Sequence, residues 1–196
     1  MKIYFAGPLF TPYVRQFIAE RARVLRAHGI DAFVPHERFN QMITPERVAS
    51  LAAQGVLPPA MAEHFDSEAV MELVRAGKLK REQLGLPPMS PVTIFDTDYE
   101  GLGTANAVLA LLDGTQVDDG TACEIGIFYG LMQADPLHKK GMVGFITDSR
   151  GTRQRSTGFG QNMFILGMLE AAGAIYDNFD DAVAHLLKWD AELRTS

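Results

Sequence analysis

The chain has 196 residues, 47% hydrophobic and 21% charged, which suits one globular domain with a sizeable core. A net charge of -6 at pH 7 argues against general affinity for nucleic acid polymers or an anionic membrane. The single cysteine, Cys123, excludes an internal disulfide framework and fits a reducing cytoplasm; the opening KIYFAG reads as a strand rather than a signal peptide, and no apolar run approaches membrane-spanning length.

Residues 2–6 read as a first strand that ends at Gly7-Pro8. Val14, Phe17, Ile18, Ala22 and Leu25 recur at helical spacing, which predicts a helix over residues 13–28 with Gly29 as its stop. Residues 31–35 are a short second strand broken by Pro35. Residues 41–91 then depart from strand–helix alternation. Thr44-Pro45-Glu46 is a helix start, with Thr as N-cap and Pro at the first helical position. Gly55 and Pro58-Pro59 end that helix, Ser67 opens a second that stops near Gly77, and residues 80–84 suit one more turn before Pro87-Pro88. The segment reads as a helical insertion between two strands, the kind that becomes a lid, a subunit contact or a surface elaboration. Residues 92–96 are a short apolar run, and residues 98–106 a short helix or turn. A strand over 107–112, a helix over 121–134 and a strand over 141–146 follow. A helix over 162–172 stops at Gly173, residues 174–176 are a last short strand, and Asp180 or Asp181 caps a final helix whose Val183, Leu186 and Leu187 face the core. Strands alternating with helices imply an α/β fold, a mostly parallel sheet covered on both faces. The chain shows no internal repeat and no low-complexity tract.

The densest chemistry lies between Val108 and Gly130. The loop leaving the carboxyl end of a strand is where ligands bind in an open α/β sheet. Here that loop and the helix after it carry Asp113, Asp118, Asp119 and Glu124. Two readings of Glu124 compete. Thr121-Ala122-Cys123-Glu124 matches a capping box, with Thr121 as N-cap and Glu124 three residues on, and that needs no catalysis. A cap, however, does not need Asp118 and Asp119 beside it, where like charges repel. Gly120 lets the backbone approach a ligand closely. A helix N-terminus keeps a carboxylate ionised, the state required of a glycosyl-transferring nucleophile.

Other features read more plainly. Gly101-Leu102-Gly103 precedes a strand instead of following one, so it is no dinucleotide fingerprint. Asp96 and Asp98 suit turn formers as well as functional acids. Cys123 has no histidine nearby in sequence and reads as a small buried residue. His28, His36, His64, His138 and His185 lack metal-ligand spacing; His36, after the second strand, reads as a surface residue. Arg150, Arg153 and Arg155 with Ser149 and Ser156 form either a solvated loop or a grip for phosphate, and Phe159 either stacks on a base or packs.

Four segments, in order, resemble the nucleoside 2-deoxyribosyltransferase family: IYFAGPLFT from Ile3, DYEGL from Asp98, DDGTACEIGIFYG from Asp118 and GQNMFILG from Gly160. The third, acidic motif is the most specific. The likeness spans the chain apart from residues 41–91. It implies a flavodoxin-like (Rossmann-like) parallel sheet sandwiched between helices, one domain over residues 1–196, with the helical insertion at about 41–91. It also implies roles. Glu124 attacks the anomeric carbon of a 2'-deoxynucleoside and forms a covalent deoxyribosyl ester. Asp98 and Asp118 hydrogen-bond the nucleobase and manage the proton that makes it a leaving group. Asn162, from a neighbouring subunit, holds the 5'-hydroxyl, with Met163 beside it. Tyr4, Gly7, Phe10 and Gly120 line the pocket. The implied partners are 2'-deoxynucleosides, free purine or pyrimidine bases and further copies of the chain in a dimer-based homo-oligomer. No cofactor and no metal are implied, and the implied location is cytoplasmic. Two alternatives remain: a hydrolase acting on 2'-deoxynucleoside 5'-monophosphates, motivated by the Arg/Ser loop, and a noncatalytic nucleotide-binding module on the same scaffold.

Overall fold

The computed structural model describes residues 1–148 and 161–195. The chain divides into two compact units, one of Met1–Val34 with Tyr99–Ser196, the other of Pro35–Asp98.

The first unit is built on five strands: β1 (Lys2–Ala6), β2 (Asp31–Phe33), β3 (Ala107–Leu111), β4 (Gly141–Phe145) and β5 (Gly173–Tyr176). Their order is β2-β1-β3-β4-β5 and every pairing is parallel. This is the flavodoxin-like order, with its topological switch point between β1 and β3. All residues of β3 and β4 are buried, which explains why their sequences are unbroken apolar runs rather than alternating ones. The pleat still sorts side chains by parity. Ile3, Phe5, Leu109, Leu111, Val143 and Phe145 pack with Ile18 and Leu25 of α1 (Pro12–Ala27) and with Val183 and Leu186 of the last helix. Tyr4, Val108, Ala110, Leu112 and Met142 fill the opposite face. There they meet Ile125 and Phe128, on a helix over Asp119–Ala134, and Ile165 and Leu169, on one over Met163–Ala172.

The second unit is helical: α2 (Pro35–Asn40), α3 (Pro45–Ala53), α4 (Ala60–Glu63), α5 (Ser67–Arg75) and a 3-10 turn at Arg81–Leu84. Phe39, Val48, Leu51, Val70, Met71 and Leu84 form its own core. Thr44 caps α3 as expected, its Oγ1 accepting from the Arg47 N–H at 3.3 Å. Gly55 and Gly77 follow helices with φ of 72° and 70°, the left-handed conformation that glycine tolerates best.

Four expectations are corrected. Residues 92–96 and 98–104 are one element, α6 (Pro91–Thr104). Ser90 Oγ accepts from the Thr93 N–H at 3.0 Å, and Pro91 takes the first helical position. The β-branched and aromatic run VTIF hides that helix start. Pro35 does not merely break β2; it opens α2. The helix over 121–134 begins two residues early; with the labels continuing in chain order it is α7 (Asp119–Ala134), followed by α8 (Met163–Ala172) and α9 (Phe179–Thr195). Finally, Asn178 rather than Asp180 or Asp181 caps α9, its Oδ1 accepting from the Asp180 N–H at 2.8 Å. The two aspartates lie in the first turn, where the helix dipole favours them.

At the other end of α6, buried Lys139 donates to the carbonyls of Gly103 and Ala105, each at 2.6 Å. It thereby satisfies acceptors that a helix end leaves open. Burial holds its ammonium below the usual lysine range. Among the described residues, no helix is long and apolar enough to cross a membrane.

Candidate active site

The four carboxylates after β3 do different jobs. Asp113 accepts from the Thr147 N–H at 2.6 Å and the Asp148 N–H at 2.9 Å, and it also bonds the Thr147 hydroxyl. It ties the loop after β3 to the loop after β4. Asp118 is the N-cap of α7: its Oδ2 accepts from the Thr121 N–H at 3.0 Å and the Thr121 hydroxyl at 3.2 Å. Asp119 stands in the first turn and accepts from the Gly120 N–H at 2.8 Å.

This assignment corrects the capping box at Thr121. The sequence holds two overlapping signatures, Asp118-x-x-Thr121 and Thr121-x-x-Glu124. Aspartate is the stronger cap of the two. Thr121 is buried inside the helix and donates to the cap instead of forming it. Glu124 is therefore no part of a capping box. It lies in the second turn, beyond the stretch where the helix terminus acts strongly on charge.

Glu124 meets a side chain of β1 instead. The Tyr4 hydroxyl donates to Glu124 Oε1 at 2.5 Å. Tyr4 is fully buried on β1 and Glu124 half-buried on α7, so the pair spans the switch point between β1 and β3. A hydroxyl bonded to a carboxylate makes a short, charge-assisted contact that favours the ionised acid. Gly120 precedes Glu124 by one helical turn and is exposed. Side chains tilt toward a helix's N-terminus, so Glu124 leans toward position 120, which carries no side chain.

The remaining expected residues sort by unit. Gly7, just past β1, is a packing position: a Cβ there would lie 2.9 Å from Ile18 Cδ1 and 3.2 Å from Leu111 Cβ. Phe10 is 79% exposed. Asn162 is exposed and caps α8, its Oδ1 accepting from the Phe164 N–H at 2.9 Å; Met163 and Phe164 beside it are also exposed. Asp98 is half-buried on α6 and is the last residue of the second unit. Cys123 is exposed, against the expectation of burial, because it faces away from the sheet on α7. Arg150, Arg153, Arg155, Ser149, Ser156 and Phe159 lie outside the described residues.

Two contributors escaped the sequence reading. Gln161 is buried and donates from Nε2 to the Leu112 carbonyl at 3.0 Å, fixing the entry to α8 against the end of β3. Its place beside Asn162 was the available signal. Phe33 stacks on Tyr4 with ring centroids 5.4 Å apart, a pairing visible only once the register of β1 and β2 is known. Among the described residues, no group of three or more His, Cys, Asp or Glu side chains is arranged to hold a metal ion.

The sequence model for nucleoside 2-deoxyribosyltransferases matches residues 3–182. Comparison with curated proteins finds no match. Among solved structures, the chain is similar to a conserved protein from Enterococcus faecalis V583, at 21% identity and a TM-score of 0.61, over 96% of this chain and 98% of that one. A 2-deoxyribosyltransferase from the psychrotolerant bacterium Bacillus psychrosaccharolyticus matches at 19% identity and a TM-score of 0.49, over 93% and 90%. A CMP N-glycosidase of Clostridium botulinum matches at 12% identity and a TM-score of 0.43, over 95% and 98%.

Proposed function

The chain belongs to the nucleoside 2-deoxyribosyltransferase family, and on that premise we propose that it exchanges the nucleobase of 2'-deoxynucleosides through a covalent ester on Glu124. The observation that supports this most is the Tyr4–Glu124 bond at the switch point, with capping of α7 left to Asp118. A carboxylate released from capping and held by a buried phenol is preorganised for attack.

In the first displacement a Glu124 oxygen bonds to C1' as the C1'–N bond breaks, and the departing base takes up a proton. Asp98 and Asp118 are the acids proposed to bind the base and supply that proton. Asp118 commits Oδ2 to Thr121, and Oδ1, which accepts no hydrogen bond from the described residues, is the oxygen proposed to meet the base. In the second displacement a new base attacks C1', giving up its N–H proton to the acid that protonated the first base, and Glu124 leaves as carboxylate. Two inversions give net retention. A 2'-deoxy centre lacks the electron-withdrawing hydroxyl, so its oxocarbenium-like transition state forms more readily. Asn162, with Oδ1 engaged in its cap, has Nδ2 to donate to the 5'-hydroxyl, and we assign that contact to the site of a neighbouring copy.

The test is a matrix of donor deoxynucleosides and acceptor bases, with products separated by chromatography. The expected outcome is a new deoxynucleoside with at least one pair, and its loss by on the order of 10³-fold or more in Glu124→Ala. Turnover to free base alone, faster on 5'-monophosphates than on nucleosides, replaces this reading with hydrolysis. Tight binding without turnover of any substrate replaces it with a noncatalytic module. Wild-type exchange by Glu124→Ala removes the nucleophile assignment.

A further inference from the structure

Glu124 is held by a series of contacts that begins on the neighbouring strand. Tyr4 and Phe33 are direct partners in the β1–β2 register, so their side chains share one face. Their rings stack with centroids 5.4 Å apart and planes inclined by 17°. The Lys2 ammonium lies 5.4 Å from the centroid of the Phe33 ring, while donating to Thr104 Oγ1 at 2.7 Å. From α6, Gly101 comes against the Phe33 ring. A Cβ at 101 would lie 2.5 Å from Phe33 Cε1 and 2.8 Å from Cδ1 and Cζ, closer than carbon atoms pack. Gly101 is buried inside a helix and its φ is not positive, so no turn or cap demands glycine there. Glycine weakens a helix relative to alanine. What it supplies at this position is room for the ring.

We propose that Phe33 and Gly101 are positioning residues for the Tyr4–Glu124 pair: Phe33 fixes the plane of the phenol by stacking on it, and Gly101 leaves the space that Phe33 must occupy to do so. The proposal rests on the reading of Glu124 as nucleophile. Neither residue touches the reacting atoms; both act through Tyr4. A phenol ring that tilts carries its hydroxyl away from Glu124, and small displacements of a reacting group cost rate steeply.

The experiment uses the full chain with Tyr4→Phe, Gly101→Ala, Phe33→Leu and the double variant Gly101→Ala/Tyr4→Phe. Base exchange gives kcat and KM. NMR of protein labelled with 13C at the glutamate carboxyl carbons gives the titration of Glu124, assigned by its disappearance in Glu124→Gln. Tyr4→Phe removes a donor to the carboxylate, so kcat falls and Glu124 titrates at higher pH. Gly101→Ala is expected to lower kcat on the order of tenfold with KM little changed, and to move the Glu124 titration in the same direction. The double variant is expected to match Tyr4→Phe alone, since the effect passes through the lost hydroxyl. Losses that multiply in the double variant, or a Glu124 titration unmoved in Gly101→Ala, overturn the proposal. Phe33→Leu introduces no clash and carries the same expectation if Gly101→Ala fails to fold. Should wild-type protein exchange no base at all, the proposed function fails, and the titration shifts still decide the positioning role.

Discussion

Glu124 and Asp118 show how one helix entry divides its labour. Both are carboxylates near the start of α7, yet Asp118 is committed to the Thr121 N–H and Glu124 to a phenol from β1. Gly120 lies between them in sequence, one helical turn before Glu124, and is the position at which access to the carboxylate is best tested. Among the described residues a Cβ there meets Asp118 Oδ2, at 3.2 Å, the oxygen that caps α7. Gly120→Leu is therefore expected to lower the melting temperature slightly, by pressing on that cap, while lowering kcat/KM by on the order of 10²-fold, because the new side chain covers the carboxylate. A thermal melt read beside the exchange assay checks both halves. Full activity in the leucine variant would mean that substrate approaches Glu124 from another side.

Elements are joined here by a few polar contacts set among apolar ones. Lys139 closes the end of α6, and Asp113 binds the loop after β4. β5 and α9 are joined by the Tyr176 hydroxyl and His185 Nδ1, 2.8 Å apart, with Trp189 against the imidazole edge at 4.3 Å between centroids. Burial, and secondarily the charge of Lys188, holds His185 below the ordinary histidine value of 6.5, with Glu192 acting in the opposite sense. The unfolded chain thus binds a proton at His185 more readily than the folded one. Between the folded value and 6.5, stability rises with pH. The contribution is complete above 6.5 and is lost as pH falls through the folded value. Melting temperatures measured from pH 7.5 down to pH 5 are expected to decline, and His185→Gln is expected to flatten that part of the decline. An unchanged slope in the glutamine variant would assign the acid sensitivity to other groups.

At the scale of the whole molecule, the first unit leaves Phe10, Tyr13, Met163 and Phe164 exposed at and just before the starts of α1 and α8. Exposed large apolar side chains are the kind of surface that a further copy covers. This supports the proposal that Asn162 completes the site of a neighbour. Glu124→Ala and Asn162→Ala are each expected to be inactive alone. Mixed under conditions that let subunits exchange, they are expected to regain activity, because some sites then pair an intact Glu124 with an intact Asn162. Kinetics before and after mixing, with the assembly state followed by sedimentation, read this out. Exchanged subunits without recovered activity would confine each site to one chain.

Much of this molecule is determined by local sequence. The strand and helix alternation, the buried runs of β3 and β4, the Thr44-Pro45 helix start and the helical character of residues 41–91 all follow from periodicity, caps and glycine stops, forces that act over a few residues. The acidic motif after β3 was equally legible as a place, and the family match over residues 3–182 agrees with the resemblance carried by the motifs. Local sequence did not decide which residue would cap α7, since Asp118 and Thr121 both fit. Nor did it show Val92–Phe95 as helix, because side-chain propensity there opposes the Ser90-Pro91 start. The tertiary structure decided what Glu124 touches. Tyr4 is 120 positions away, and only the parallel pairing of β1 with β3 brings the phenol to the carboxylate. Hydrogen bonds of that reach depend on sheet order and register, which no short stretch of sequence encodes.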